Sequence, residues 1–412
     1  MTTILVAGTY DTKDDELHYI AGIIRGQGGD VLSMDISVLG DPSRPTDYSK
    51  HDVAEAGGHS IQEAIDSGDE NTAMQIMAKG GAALVAKLYA NAKIDGIVVL
   101  GGSMGTDAAL DICSALPIGV PKYVVSTVSF SPMIPAERLP ADVQMVLWAG
   151  GLYGLNSICK ASLSQAAGAV LGAARAVEKP KFERPLIGMT SFGKTILHYM
   201  VHLKPALEQR GFEVAVFHAT GMGGRAFESL AAQGAFACVM DFATQEVGNH
   251  IHGSAISAGS DRLTGAGRAG VPQIVAPACH DLVDLVGWQD VPDELAGLPL
   301  HAHNRLLSSV VLDSKGRKRV AAAHGEKLAM AKGPSVFILP KGGTNEWDRP
   351  GAPLHDAEGL NVFNKAMKAA VPDNTQLIEL DAHINDQAFC DEVLKIFDAW
   401  VETGVVQRKS PI

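Results

Sequence analysis

The chain has 412 residues, 46% of them hydrophobic, with 46 acidic against 34 basic side chains and a formal net charge of −12. That length favours two domains over one core. The acidic balance leaves no basic excess to displace counterions, which excludes a general nucleic-acid or acidic-membrane partner. The basic run at residues 315–319 reads as the solvated start of a helix.

Taken in chain order, short apolar runs recur with amphipathic stretches between them. The predicted strands of the first half are 3–7, 31–36, 96–100, 122–126 and 143–148; those of the second are 186–190, 213–218, 237–242, 273–276, 335–339 and 376–380. Most lack polar alternation, so they read as parallel strands covered on both faces. Helices are predicted at 16–26, 162–177, 197–209 and 389–402, the first and third ending at the glycines Gly28 and Gly211. A charged, proline-containing stretch at 176–185 separates the halves. The fold class expected is α/β, two doubly wound Rossmann-like domains with mainly parallel sheets, at residues 1–178 and 186–412. Five scattered cysteines (Cys113, Cys159, Cys238, Cys279, Cys390) form no C-x-x-C pair, the pattern of reduced, buried thiols. With no leader ahead of the first strand and no apolar run of membrane-spanning length, a cytoplasmic protein is expected.

In doubly wound sheets ligands bind just past the carboxyl ends of the strands. Two loops there are rich in glycine. One is Gly101-Gly102-Ser103-Met104-Gly105-Thr106; the other is His218-Ala219-Thr220-Gly221-Met222-Gly223-Gly224-Arg225. Each follows a strand and opens a helix, where unpartnered N–H groups favour an anion such as phosphate. Neither closes with Gly-Lys-Ser/Thr, and neither has full G-x-G-x-x-G spacing, so a plain tight turn remains the alternative.

The run Gly8-Thr9-Tyr10-Asp11-Thr12-Lys13-Asp14-Asp15-Glu16-Leu17 resembles the opening motif of a family of bacterial and fungal proteins. That family includes the ATP-binding amino-terminal domain of the plant tobamovirus-resistance protein. The likeness continues through Gly101–Thr106, residues 116–122, Ser126-Thr127-Val128, residues 217–226, His301-Ala302-His303-Asn304 and His383-Ile384-Asn385-Asp386. It implies two Rossmann-like subdomains, ATP binding with Mg²⁺, and self-association, here as a homodimer. The chain departs from the pattern at Met104, where a glycine is usual. It departs again at Ala278-Cys279-His280-Asp281, where the usual run is Ala-Leu-Asp.

The residues expected at the ATP site are Gly8, Thr9, Thr12, Lys13, Gly101, Gly102, Ser103, Gly105, Thr106, Ser126 and Thr127, with Asp11 toward Mg²⁺ through water. Thr12 with Asp15 also fits a capping box, so the acidic run has a purely helical reading too. A small-molecule ligand, an acidic metabolite, is expected near His218, Thr220, Gly221, Gly223, Gly224 and Arg225. Arg225 would fork its carboxylate or phosphate, or instead pair with Glu228. Arg225, His218 and Lys13 are the catalytic candidates. Eleven of the 14 histidines follow the linker. His198-x-x-x-His202 has zinc-pair spacing without the glutamate of H-E-x-x-H. His301 and His303 form a chelating H-x-H that Asp281, Asp241 or Glu246 would complete. Cys279 beside His280 is a possible activated thiol.

The functional expectation is an ATP- and Mg²⁺-dependent enzyme carrying out phosphoryl transfer or ligation on a small acidic metabolite. Two other classes stay open: a non-catalytic ATP-binding oligomeric switch or scaffold, and a metal-dependent lyase or hydrolase built on His301 and His303.

Overall fold

The computed structural model describes residues 1–178 and 183–408, so residues 179–182, the centre of the predicted linker, lie outside the description. The chain divides into two compact units, Met1–Lys181 and Phe182–Ile412.

In the first unit the elements run β1 (Thr3–Gly8), α1 (Tyr10–Gly26), β2 (Asp30–Asp35), α2 (Lys50–Ala56), α3 (Ile61–Asp66), α4 (Glu70–Ala90), β3 (Gly96–Gly101), α5 (Ser103–Ser114), β4 (Lys122–Ser126), β5 (Val143–Leu147) and α6 (Ser157–Ala176). All five strands are parallel, in the order β2-β1-β3-β4-β5. Successive side chains of a strand point to opposite faces. In β1, Ile4 and Val6 accordingly pack under α1 and α6 with Leu17, Ile20 and Leu163. Leu5 and Ala7 pack on the other face with Met77, Leu84 and Ile112 of α4 and α5. This two-sided burial is why the strand reads as one continuous apolar run.

The second unit contains β6 (Leu186–Ser191), α7 (Leu197–Gln209), β7 (Glu213–His218), α8 (Met222–Ala232), β8 (Cys238–Asp241), α9 (Gln245–Ile251), α10 (Gly265–Ala269), β9 (Gln273–Val275), β10 (Leu282–Val286), β11 (Leu300–Ala302), β12 (Leu307–Val311), α11 (Ser314–Leu328), β13 (Ser335–Pro340), α12 (Ala357–Ala370), β14 (Gln376–Leu380) and α13 (Gln387–Glu402). Six parallel strands run in the order β14-β13-β9-β8-β6-β7. One face carries α7 and α13 through Tyr199, Leu203, Phe389 and Val393. The other is covered in two patches, Phe227 and Ala231 of α8 beside Ala266 of α10, and Val320 and Leu328 of α11 beside Phe363 of α12. Both units are doubly wound α/β folds with mainly parallel sheets.

A separate three-stranded antiparallel sheet, β10-β12-β11, was not among the predicted strands. Its strands mix serines and an aspartate into short apolar runs, and their pairing is set by register. Helix α1 also begins earlier than predicted, at Tyr10. Its N-cap is Thr9, so the Thr12–Asp15 capping box does not form, and the helix breaks at Lys13 (φ −129°, ψ 24°).

Beneath the second sheet, His324 of α11 is fully buried. Its Nδ1 lies 2.8 Å from the Val320 carbonyl and its Nε2 2.9 Å from the Thr244 hydroxyl. Burial holds its pKa down at about 4. A histidine whose folded pKa is depressed binds fewer protons folded than unfolded. Stability is therefore lost as pH falls from the unfolded value of about 6.5 toward 4, by of order 3 kcal/mol in all. Urea unfolding at pH 7.5, 5.5 and 4.5 should show His324→Gln losing markedly less stability than the parent over that window. Parallel losses would remove His324 as the cause.

Candidate functional site

The strand order of the first unit reverses between β1 and β3, the switch point at which such sheets bind ligands. A cavity of about 620 Å³ opens there, within the range of small-molecule sites. Its polar side is made by Thr9, Asp11, Thr12 and Lys13 after β1 and by Gly102, Ser103, Met104 and Gly105 at the start of α5. Its apolar side is made by Val38, Leu39, Ala64, Ile65, Ala73 and Met74.

Three helix starts face this cavity, those of α1, α4 and α5. Helix α4 is capped by Asp69, whose Oδ2 accepts from Thr72 N at 2.7 Å, and of the three α5 is the open one among the described residues. At α1 the early N–H groups are already bonded. Tyr10 N donates to Asp35 Oδ1 at 3.2 Å, Asp11 N to Ser37 Oγ at 3.1 Å, and the amides of Thr12 and Lys13 to the Thr9 carbonyl. At α5 the N-cap is Gly102, which has no side chain to offer, so no side chain caps Ser103, Met104 and Gly105. The glycine positions differ in the same way. A Cβ on Gly8 would lie 2.9 Å from Leu17, so that glycine serves packing. A Cβ on Gly102 would meet only Thr127 Oγ1, at 3.9 Å, and that glycine borders open space.

Other predicted ATP-site residues are turned inward. The hydroxyls of Thr106 and Ser126, both buried, bond each other at 2.6 Å and tie α5 to β4. Lys13 lines the cavity with its Nζ 5.6 Å from the Tyr153 ring centroid. Asp11 also lines it, and its Oδ1 is shielded from solvent without a hydrogen-bond partner among the described residues. Asp35 at the end of β2 is buried, its Oδ1 also accepting from Ser37 N at 2.9 Å. Burial raises its pKa above the usual carboxylate range, against the Ser37 hydrogen bonds. The sequence reading missed the whole apolar wall from α3 and α4. The Ser60–Glu63 capping box and the Asp69 N-cap were the available signals for those helices.

In the second unit the glycine loop is filled by the protein itself. Glu246 accepts from Gly221 N and from Arg262 Nε at 2.7 Å. A Cβ on Gly224 would fall within 2.5 Å of the Glu246 carboxylate, and one on Gly223 would overlap the His218 carbonyl. An internal carboxylate thus occupies the place expected for a ligand anion. Arg225 is likewise engaged: its Nη1 lies 2.7 Å from both oxygens of Asp261, and not on Glu228. Thr220 N donates to the His218 carbonyl at 2.9 Å. His218 itself is exposed, stacked on Phe192 with centroids 5.9 Å apart.

The histidine expectations are corrected as well. Among the described residues no three His, Cys, Asp or Glu side chains converge as a metal-holding group. His301 and His303 turn toward Trp347, with centroid separations of 4.6 and 5.7 Å. Their expected partners are committed elsewhere, Asp241 and Glu246 to Arg262, and Asp281 to Asn345 Nδ2 at 3.0 Å. The His198 and His202 rings lie 4.2 Å apart in a cavity of about 290 Å³ with Glu346 and Asn385. Cys279 is fully buried, and burial first, with Asp281 nearby, drives its thiol well above the usual range. The thiolate that reactivity needs is therefore disfavoured.

Fold and cavity together define a class: a two-unit, doubly wound α/β protein with an open switch-point pocket in its first unit. The chain belongs to the uncharacterised protein family UPF0261, whose N-terminal domain matches residues 2–179 and whose C-terminal domain matches residues 184–401. A UPF0261 protein of Brucella melitensis is 52% identical over 405 residues, covering 98% of this chain and 97% of that one. One from Clostridium tetani is 34% identical over 396 residues, covering 95% and 97%. The tomato (Solanum lycopersicum) ToMV susceptible protein tm-1(GCR26) is 26% identical over 419 residues, covering 96% of this chain and 55% of its own length. No helix among the described residues is long and apolar enough to cross a membrane.

Proposed function

We propose that the first unit binds ATP with Mg²⁺ in the switch-point cavity, and that the protein is a cytoplasmic homodimer using ATP in phosphoryl transfer or ligation on a small acidic metabolite. One observation carries the reading: a cavity of about 620 Å³ framed on one side by the uncapped start of α5 and on the other by an apolar wall. ATP is the ligand that the family resemblance implies, and the two sides suit its two ends. The N–H groups of Ser103, Met104 and Gly105 hold phosphate oxygens, helped by the positive end of the α5 dipole. Lys13 adds a mobile positive charge. Ile65, Ala73 and Met74 cover the base.

The residues present also fit the metal. Mg²⁺ is usually held by one or two carboxylates together with substrate phosphates. Asp11 supplies a carboxylate oxygen, Oδ1, that has no hydrogen-bond partner among the described residues. When bound, the ion neutralises charge on the phosphates; the chain's own part is to position them and hold Asp11 beside them. The second-unit loop makes a poorer metabolite site than the sequence implies, because Glu246 and Asp261 already satisfy it. The exposed imidazole of His218 stands at the end of β7 beside it.

Calorimetric titration of ATP with Mg²⁺, then with EDTA, tests the reading. Micromolar binding that needs Mg²⁺ is expected, and Asp11→Asn should weaken it by about tenfold while sparing the thermal unfolding midpoint. No saturation in either condition overturns the proposal. Formation of ADP or AMP in a screen of small acidic metabolites separates an enzyme from a switch.

A further inference from the structure

Three carboxylates lie close to the nucleotide cavity on its β2 and α4 sides, and they are not equivalent. Asp35 ends β2, the position at which doubly wound folds commonly present an acid to a ribose. Here its Oδ1 is spent on Tyr10 N and Ser37 N, and the side chain is buried rather than lining the cavity. Asp69 lines the cavity but caps α4, its Oδ2 accepting from Thr72 N at 2.7 Å and from the Thr72 hydroxyl at 2.6 Å. Glu70, the first residue of α4, lines the cavity, is exposed, and has no hydrogen-bond or ion-pair partner among the described residues.

We propose that Glu70 is the sugar-reading residue of the nucleotide site, accepting hydrogen bonds from the ribose hydroxyls of the bound nucleotide. The inference rests on the nucleotide reading above and goes beyond it by assigning the specificity for a ribonucleotide. The chemistry is selective. A carboxylate accepts only, so it matches the two donors of a ribose cis-diol and repels phosphate oxygens. The cavity is thereby polarised. Helix N–H donors stand at the α5 start, the Asp69 and Glu70 carboxylates stand at the α4 start with Asp69 committed to capping its helix, and Ile65, Ala73 and Met74 line the apolar surface that takes the base. A free phosphate or pyrophosphate would use only the α5 side. The Glu70 carboxylate gains a partner only when a sugar is attached.

The test compares ATP, 2′-deoxy-ATP and inorganic tripolyphosphate by calorimetry, each with Mg²⁺, on the full chain and on Glu70→Ala and Glu70→Gln. The parent is expected to prefer ATP over 2′-deoxy-ATP by about tenfold, the scale of one charge-assisted hydrogen bond. Glu70→Ala should bind ATP about tenfold more weakly and lose that preference, with Glu70→Gln in between. Both variants should bind tripolyphosphate as the parent does, which shows that the cavity is intact. Equal affinity of the parent for ATP and 2′-deoxy-ATP, or a preference that survives Glu70→Ala, overturns the assignment while leaving phosphate binding standing. A parent that takes up neither ATP nor tripolyphosphate overturns the nucleotide reading and the sugar reading with it.

Discussion

Replacing Arg262 with leucine is expected to destabilise the second unit by about 3–5 kcal/mol, a large part of the 5–15 kcal/mol typical of a whole domain. Arg262 is fully buried, and its guanidinium faces Asp241 at 2.7 Å, Glu228 at 2.9 Å and Glu246 at 2.7 Å. All three acids are buried in turn. Burial raises Glu228 and Glu246 above the usual carboxylate range, Glu246 to about 7, although the nearby Arg262 charge pulls both down. Removing the cation leaves three acids without compensation in a dry site, where an unpaired charge is most costly. The sign with pH follows. Carboxyls whose folded pKa is raised above the unfolded 4.5 contribute stability at low pH and lose it as pH rises through the folded value. In the leucine variant the acids lose the cation that pulls them down, so it should be less stable at pH 8 than near pH 5. Arg262→Lys should rescue only in part, since one ammonium cannot reproduce the planar fork across three acids. Urea unfolding followed by the fluorescence of Trp288, Trp347 and Trp400 reads this unit. A leucine variant with the parent's midpoint at pH 8 would show the cluster to be dispensable.

Gly102→Phe is expected to abolish measurable ATP binding, a loss of at least about a hundredfold, while leaving the fold intact. The backbone at Gly102 is already in an ordinary extended conformation, φ −75° and ψ −156°, and the space beside it is open. An aromatic ring there covers the α5 amides that the phosphates need. Gly224 makes the contrast, because any side chain on it overlaps Glu246. Gly224→Val should lower the unfolding midpoint rather than change ATP affinity. Circular-dichroism melts alongside the titrations separate the two cases. Parent-like ATP affinity in Gly102→Phe would remove the α5 start from the site.

The eleven predicted apolar runs all occur as strands of the two parallel sheets. The central ones, such as β3, β6 and β13, are covered on both faces and leave a continuous hydrophobic signature, while the edge strands β5, β7 and β14 are partly exposed. The β10-β12-β11 sheet left no such mark. In β12, Leu-Ser-Ser-Val-Val has no clear period, and only the pairing of Ser309 with Asp284 and His301 gives it a face. The α3–α4 wall of the cavity was marked only by the Ser60–Glu63 capping box and the Asp69 N-cap, which announce helices but not a cavity. Ile65 and Met74 look like ordinary amphipathic-helix residues until the fold sets them in the same cavity as Gly102.

The two glycine loops show what each level decides. Sequence alone determined that both follow a strand and open a helix, since glycine, serine and threonine after an apolar run dictate that turn locally. It also determined the α/β class, through the spacing of strands and helices. Tertiary structure decided which loop is open. Gly102 faces a cavity, whereas Gly221 and Gly224 face Glu246, a residue more than twenty positions away that the sheet order brings to the loop. A backbone N–H is free or satisfied according to its neighbours in space, and no local pattern encodes a partner delivered by a distant helix such as α9.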